Sequence, residues 1–168
     1  GLIVGKRNLI REIKQNPLKR ALRVDKVTIA ALAEVLKLYT DPDRLLDRLP
    51  LLKSLTRDTK ELQELAEKLL PFFVRALDSV AEVTIEPSKS QIGSGALPLD
   101  LLESRSLVLK PLTDEGKTDV KLQSLAKKFR GLSTPIVGRL HDGKLIFDLR
   151  CLENESELVD LLNSTSWS

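Results

Sequence analysis

The sequence predicts an α+β fold with an antiparallel sheet of about four strands, covered on one face by helices and preceded by N-terminal helices. Helical patterns fill the first part of the chain, and strand patterns follow in the order β-β-α-β-β-α. The dipeptide Asp142-Gly143 separates two apolar alternations, which indicates a two-residue hairpin turn because both central positions take a positive φ. A chain of 168 residues can bury roughly 68–70% of its unfolded surface, which is sufficient for one core.

Apolar spacing predicts the first helices. Residues 6–15 carry a narrow apolar stripe, and this helix should end at Asn16 because a residue before proline disfavours the helical region. Residues 27–39 are apolar almost all round, which is typical of a helix that is buried or lies at an interface. A short helix is predicted over roughly 43–48, and Pro50 should close it.

A longer helix is predicted after Asp58. Its apolar positions recur at helical spacing and are Leu62, Leu65, Ala66, Leu69, Leu70 and Phe73. Asp58 is the candidate N-cap, and Glu61 follows three residues later, close to a capping-box pattern. We expect Pro71 to kink or divide this helix, since proline removes a backbone hydrogen bond.

The strands come in the second half of the chain. Residues 80–86 and 105–110 are predicted as strands, and residues 118–130 return to a helix. Asn154 is placed to cap the last helix, with Glu157 three residues later.

These elements divide the chain into three segments. Residues 51–163 are predicted to form the α+β domain, and residues 1–50 precede it. Residues 164–168 show no pattern and are expected to be a disordered tail.

Composition excludes several kinds of site. With one histidine, His141, and one cysteine, Cys151, the chain cannot build a zinc site or an internal disulfide. Without a second histidine or a placed acid, no Ser-His-Asp or Cys-His arrangement is expected. We interpret His141 as an exposed turn residue and Cys151 as a small buried apolar residue. No metal is expected, and no membrane contact, because the apolar runs are too short to span a bilayer. A single cysteine fits the reducing cytoplasm.

Positive charge is concentrated in the N-terminal third. Residues 1–60 hold 14 lysines and arginines against 7 acidic residues, whereas residues 61–168 hold 13 against 17. The N-terminal third is therefore able to meet an anion, although a long helix often carries solvated cations as well.

The densest basic stretch is NPLKRALRVDK, residues 16–26, in which Asp25 is the one acidic residue. Its cations are Lys19, Arg20, Arg23 and Lys26. If this stretch is a helical turn, Arg20 and Arg23 project from the same side because they are three residues apart. Guanidinium groups match phosphate oxygens, so the pair is a candidate oxyanion clamp. Nucleic-acid binding is the broader alternative, but the aromatic residues that would stack on bases are almost absent here.

The stretch SQIGSGALP, residues 90–98, is a glycine-rich loop. Gly93 and Gly95 flank Ser94, and the backbone N–H groups of such a loop can bind an anion. An ordinary connection from a strand to a loop has the same composition, so both interpretations stay open.

Four stretches together resemble the bacterial selenocysteine synthases, the L-seryl-tRNA(Sec) selenium transferases. They are GLIVGKR, NPLKRALRVDKVTIAAL, SQIGSGALP and GRLHDGKLIFDLRCLE, and the resemblance extends from Gly1 to about Leu162. This family consists of pyridoxal-phosphate enzymes of fold type I. They convert seryl-tRNA(Sec) to selenocysteinyl-tRNA(Sec) with selenophosphate.

The resemblance implies where this chain lies in such an enzyme. Residues 1–50 would lead in from the large domain and link it to residues 51–163, the C-terminal small domain. The lysine that holds pyridoxal phosphate would lie a few residues before Gly1, so the chain alone is expected to be inactive. The resemblance also implies a cytoplasmic protein that forms a ring-shaped homo-oligomer of dimers.

The resemblance implies site residues as well. Arg20 and Arg23 match the family's pair of arginines that bind the anionic group of the selenium donor. Lys19, Lys26 and Ser94 are further candidates, and no catalytic residue is expected within this chain.

Two alternatives remain at this point. Related pyridoxal-phosphate lyases that act on phosphorylated amino sugars share parts of the pattern. A non-catalytic module that binds RNA or small anions would also explain the basic stretch.

Overall fold

The structure of the protein is a computed structural model that describes residues 3–91, 101–112 and 118–167. The chain forms two units that divide after Leu49. The described residues include seven α-helices and a four-stranded antiparallel sheet, so the predicted α+β class and antiparallel sheet are confirmed.

The first unit is helical. Its elements are helix α1 (Arg7–Gln15), a 3₁₀ helix (Pro17–Arg20), helix α2 (Lys26–Leu38), a second 3₁₀ helix (Pro42–Arg44) and the short helix α3 (Leu45–Arg48). These bounds confirm the predicted helices to within a few residues. None of the described residues of this unit is buried.

The sheet belongs to the second unit. Its strands are β1 (Ala81–Ser90), β2 (Leu102–Pro111), β3 (Arg139–His141) and β4 (Lys144–Asp148), hydrogen-bonded in the order β1-β2-β4-β3. Strands β1 and β2 are both longer than predicted. Their outer ends are rich in serine and charged residues, so no apolar alternation marks them. Pro87 is tolerated in β1 because this strand lies at the edge of the sheet.

The described residues of the second unit include the helices α4 (Pro50–Thr56), α5 (Thr59–Leu77), α6 (Thr118–Arg130) and α7 (Glu155–Ser164). Helix α3 ends before Pro50, as expected, because Leu49 is extended, but the sequence does not predict helix α4, which begins at Pro50. Proline suits the first helical position, since the N–H it lacks would have no partner there.

Helix α5 continues through Pro71, so it is not divided. Buried residues lie on both sides of the proline and are Leu62, Ala66, Leu69, Phe73 and Leu77. A buried leucine or phenylalanine contributes roughly 1.5–3 kcal/mol. Several of them outweigh the roughly 3 kcal/mol that an interior proline costs a helix.

The core lies between these helices and one face of the sheet. Leu107 of β2 pairs with Phe147 of β4, and the next core pair is Leu109 with Leu145. Phe129 of α6 packs on Phe147 with a centroid distance of 4.7 Å. Because directly paired residues share a face, these side chains form one apolar layer under the helices.

The predicted caps and hairpin turn are confirmed. Asn154 Oδ1 accepts a hydrogen bond from Glu157 N (3.1 Å), and Asp58 Oδ1 accepts one in the first turn of α5 (3.0 Å). Asp142 and Gly143 have φ of 47° and 70°, as the hairpin turn between β3 and β4 requires.

The end of the chain differs from the expected disordered tail. Trp167 is 6% exposed, and its ring lies 4.3 Å from that of Phe129, centroid to centroid. Its Nε1 donates a hydrogen bond to Leu162 O (3.0 Å). A single aromatic residue gives no periodic signal, but its burial removes a large apolar surface from water and orders the segment that carries it.

Candidate anion-binding site

Two caps determine the path of the basic stretch, residues 16–26. Asn16 Oδ1 accepts a hydrogen bond from Leu18 N (2.9 Å), which starts the first 3₁₀ helix. Asp25 caps α2: its Oδ1 accepts from Thr28 N (2.9 Å) and its Oδ2 from the Thr28 hydroxyl (2.7 Å). The stretch is therefore a short helical turn and an extended connection held between two capping residues.

The four basic candidates occupy different parts of this path. Lys19 and Arg20 lie on the 3₁₀ helix, Arg23 follows it, and Lys26 is the first residue of α2. All four are exposed.

Arg20 and Arg23 do not share one helical turn, so that part of the sequence argument is wrong. The helical hydrogen bonding described for this segment ends with Leu22 N donating to Leu18 O (3.2 Å). The chain then becomes extended, because Asp25 must take φ −71° and ψ 165° to cap α2. The pairing of the two arginines on one anion is therefore supported by the family resemblance and their charge, and not by helical spacing.

The positive charge of this stretch is not neutralised locally. Within the described part of the chain, none of the four cations forms an ion pair. Both carboxylate oxygens of Asp25 accept the hydrogen bonds that cap α2. The Thr28 backbone N–H, and then its hydroxyl, hold the pKa of Asp25 below its usual value. The stretch is suited to binding an anion through charge-assisted hydrogen bonds.

The remaining candidates lie later in the chain. Ser94 lies outside the described residues. His141 is exposed on the hairpin, as expected. Cys151 is also exposed, so the expectation that it is buried is wrong. The preceding residue, Arg150, takes a buried position instead and is 3% exposed.

A groove of about 320 Å³ lies in the second unit. Its walls are mainly apolar, with Phe73, Ile136 and Leu158 among the lining residues. The charged side chains in its lining are the acidic residues Asp148 and Glu157. A groove with negative charge does not suit an anionic substrate, so we do not assign it to the candidate site.

Two partly or fully buried arginines, Arg57 and Arg150, are not predicted as such from the sequence. Arg150 Nη1 donates to the carbonyl oxygens of Ser54 (3.0 Å) and Arg57 (2.9 Å), and Nη2 donates to Glu103 O. Arg57 Nη1 donates to the carbonyl of Leu152 (2.9 Å), among others. These contacts hold the fold together. Most of their acceptors are backbone oxygens more than 90 residues away in the chain, so no local sequence pattern reveals them.

Two other features are absent from the described residues. Over those residues, no helix combines the length and apolar character needed to cross a membrane. The same part of the chain contains no group of three or more side chains placed to hold a metal ion.

Comparisons with known proteins identify the family. Residues 1–153 match the family model described as L-seryl-tRNA selenium transferase. The chain is 50% identical over 167 residues to the L-seryl-tRNA(Sec) selenium transferase of Rhizobium meliloti, covering 99% of this chain and 35% of that protein. The corresponding protein of Methylocella silvestris is 46% identical over 164 residues, covering 98% of this chain and 34% of that protein.

These matches extend along nearly the whole chain. A third relative of the same name, from Klebsiella pneumoniae, is 46% identical over 162 residues, or 96% of this chain. The chain spans about a third of the length of the curated relatives it matches. Neither the lyase nor the binding-module alternative has support among these relatives. The chain belongs to the L-seryl-tRNA(Sec) selenium transferase family.

Proposed function

We propose that the full-length protein containing this chain converts seryl-tRNA(Sec) to selenocysteinyl-tRNA(Sec) with selenophosphate. The observation that carries this proposal is the match of residues 1–153 to the transferase family, together with 50% identity to a relative of that name. Its proposed setting is the bacterial cytoplasm, in a homo-oligomer built from dimers.

We further propose that Arg20 and Arg23 bind the anionic group of selenophosphate. Three observations support this role. Both side chains are exposed, both are without an ion pair to the described residues, and the nearby carboxylate of Asp25 is occupied by the cap of α2. Lys19 and Lys26 add positive charge beside them, and Ser94 is proposed as a further contact.

The proposed placement of the chain follows the resemblance. Residues 1–50 lead in from the large domain, and residues 51–163 form the small domain. The exposure of the first unit supports this placement. Helix α2 is apolar almost all round, yet Val27 is 79% exposed and Ile29 is 55% exposed. Apolar surface of this kind requires a covering partner, which the other two-thirds of the full-length protein can provide.

Pyridoxal phosphate is proposed as the cofactor of the full-length protein. When bound, it supplies an electron sink for chemistry at the serine attached to the tRNA. Such a cofactor is held by a lysine in a desolvated pocket. We propose that none of the lysines of this chain is the attachment residue, as the family resemblance implies. The role proposed for this chain is therefore to bind and orient the selenium donor.

The proposed function is tested with the purified full-length protein. It is incubated with seryl-tRNA(Sec) and selenophosphate, and the amino acid released from the tRNA is analysed. The proposal expects selenocysteine. Recovery of serine alone, with turnover of a phosphorylated amino sugar, would establish the lyase alternative instead.

A further inference from the structure

Helix α1 carries a second group of cations, separate from Arg20 and Arg23. Arg7, Arg11 and Lys14 are spaced at i, i+4 and i+7, so they lie on one face of the helix. All three are exposed, and no ion pair or side-chain hydrogen bond joins them to the described residues. This cationic face spans about 10 Å along the helix axis.

Two apolar residues of α1, Leu9 and Ile13, lie four residues apart on the side away from these cations, and they remain about half exposed, at 52% and 48%. Ile10 borders the cationic face, because it is three residues from Arg7 and four from Lys14. An amphipathic helix buries its apolar stripe against a neighbour and leaves the opposite face in water. The full-length relatives are about three times longer than this chain and can supply that neighbour. Once the apolar stripe is covered, the cationic face of α1 points to solvent.

We infer that the cationic face of α1 binds the sugar-phosphate backbone of the tRNA substrate. This inference rests on the proposed function, which makes seryl-tRNA(Sec) the substrate. The charges are spread along the helix axis, which suits a polyanion with regularly spaced phosphates better than a small anion that needs converging donors. Helix α1 has no aromatic residue, so the contact is with the backbone and not with stacked bases.

This assignment separates two tasks within the first unit. Arg20 and Arg23 bind the selenium donor. The cationic face of α1, formed by Arg7, Arg11 and Lys14, binds the tRNA. A loss of charge on α1 therefore raises KM for seryl-tRNA(Sec) and leaves KM for selenophosphate and kcat unchanged. It also lowers the dependence of tRNA binding on salt, because fewer counterions are released.

The test uses the full-length protein with the triple substitution Arg7→Gln, Arg11→Gln and Lys14→Gln. Glutamine keeps the helix propensity of lysine and arginine and removes the charge. The matched control removes three exposed cations of the second unit, with Lys53→Gln, Lys110→Gln and Lys127→Gln. Binding of fluorescently labelled seryl-tRNA(Sec) is measured by anisotropy from about 50 to 300 mM salt, a range in which phosphate contacts change affinity strongly.

We expect the α1 variant to bind seryl-tRNA(Sec) at least tenfold more weakly than the wild type at about 0.1 M salt. We also expect the slope of log K, the logarithm of the binding constant, against log salt concentration to be less steep than that of the wild type by roughly 2 to 3. Equal binding by the α1 variant and the wild type would overturn the inference, as would an equal loss in the control variant. Binding of anionic phospholipid vesicles that is lost in the α1 variant, with tRNA binding intact, would assign the face to a membrane instead.

The two proposals fail in different ways. Normal selenium transfer together with unchanged tRNA binding by the α1 variant contradicts the inference alone. Salt-dependent tRNA binding by the wild type, without any selenocysteine formed, contradicts the proposed function alone.

Discussion

Arg57 and Arg150 exchange hydrogen bonds across the second unit. Arg150 Nη1 donates to Arg57 O (2.9 Å), and Arg57 Nη1 donates to Arg150 O (3.2 Å). The two side chains join the start of α5 to the segment that follows β4. Removing either side chain is expected to be costly, because it leaves partly or fully buried carbonyl oxygens without a donor.

We expect Arg150→Ala to lower the free energy of unfolding by about 3 kcal/mol, since it leaves several buried carbonyl oxygens without a donor. The measurement is urea denaturation of the chain followed by the fluorescence of Trp167, its single tryptophan. Arg130→Ala is the control, because Arg130 is exposed at the end of α6 and its loss should change stability by no more than about 0.5 kcal/mol. Equal stability of the two variants would show that the hydrogen bonds between Arg57 and Arg150 do not stabilise the fold.

We expect Gly143→Ala to destabilise the second unit by roughly 1–2 kcal/mol, because Gly143 has φ of 70° and a Cβ is disfavoured in left-handed backbone. Gly131→Ala is the matched control. Gly131 does not have a positive φ, and an added Cβ would lie 3.4 Å from the nearest atom, Lys127 O. Thermal denaturation of both variants compares them directly. A Gly143→Ala variant as stable as Gly131→Ala would contradict the hairpin geometry.

The cap at Asp58 makes stability depend on pH. A hydrogen bond from the Lys60 backbone N–H, and then one from the Thr59 hydroxyl, keep the pKa of Asp58 below its usual value. The unfolded chain therefore takes up a proton at higher pH than the folded chain does. The stabilisation is present above the unfolded pKa and is lost as the pH falls through the folded pKa.

Asp58→Asn tests this pH dependence, because asparagine still caps a helix but does not titrate. We expect the wild type to lose more stability than Asp58→Asn between neutral pH and about pH 3, a range that includes the usual carboxylate pKa. Denaturant unfolding at a series of pH values measures the difference. If the free energy of unfolding changed equally with pH in the two proteins, the charge of Asp58 would not contribute to stability.

Local chemistry in the sequence predicts much of the fold. The helix over residues 118–130, the cap at Asn154 and the turn at Asp142-Gly143 follow from spacing, capping and positive φ, and the structure confirms them. These features depend on residues within a few positions of each other. Distant residues are not needed to specify them.

Features that depend on distant contacts are not predictable in this way. Asp148 accepts hydrogen bonds from the Ser104 hydroxyl (2.6 Å) and the Ser90 hydroxyl, which joins β4 to the polar ends of β1 and β2. Because those strand ends are polar on both sides, apolar alternation cannot reveal them. Trp167 is a similar case, since it is buried against Phe129 of α6, which is distant in the chain.

The geometry of the candidate site is likewise not predictable from the sequence. Charge and residue type single out Arg20 and Arg23, but the helical hydrogen bonding ends with Leu22, so Arg23 lies outside the helical turn that holds Arg20. The joint role proposed for these arginines therefore rests on the family resemblance and on their charge.

The most direct test of the central claim is selenium transfer by the full-length protein carrying Arg20→Ala or Arg23→Ala, with Arg48→Ala, an exposed arginine of the same unit, as control. We expect kcat/KM for selenophosphate to fall roughly tenfold or more in each of the two variants, since each loses a charge-assisted hydrogen bond. Seryl-tRNA(Sec) binding and the melting temperature should stay at wild-type values. Wild-type transfer rates in both variants at limiting selenophosphate would contradict the claim that these arginines bind the selenium donor.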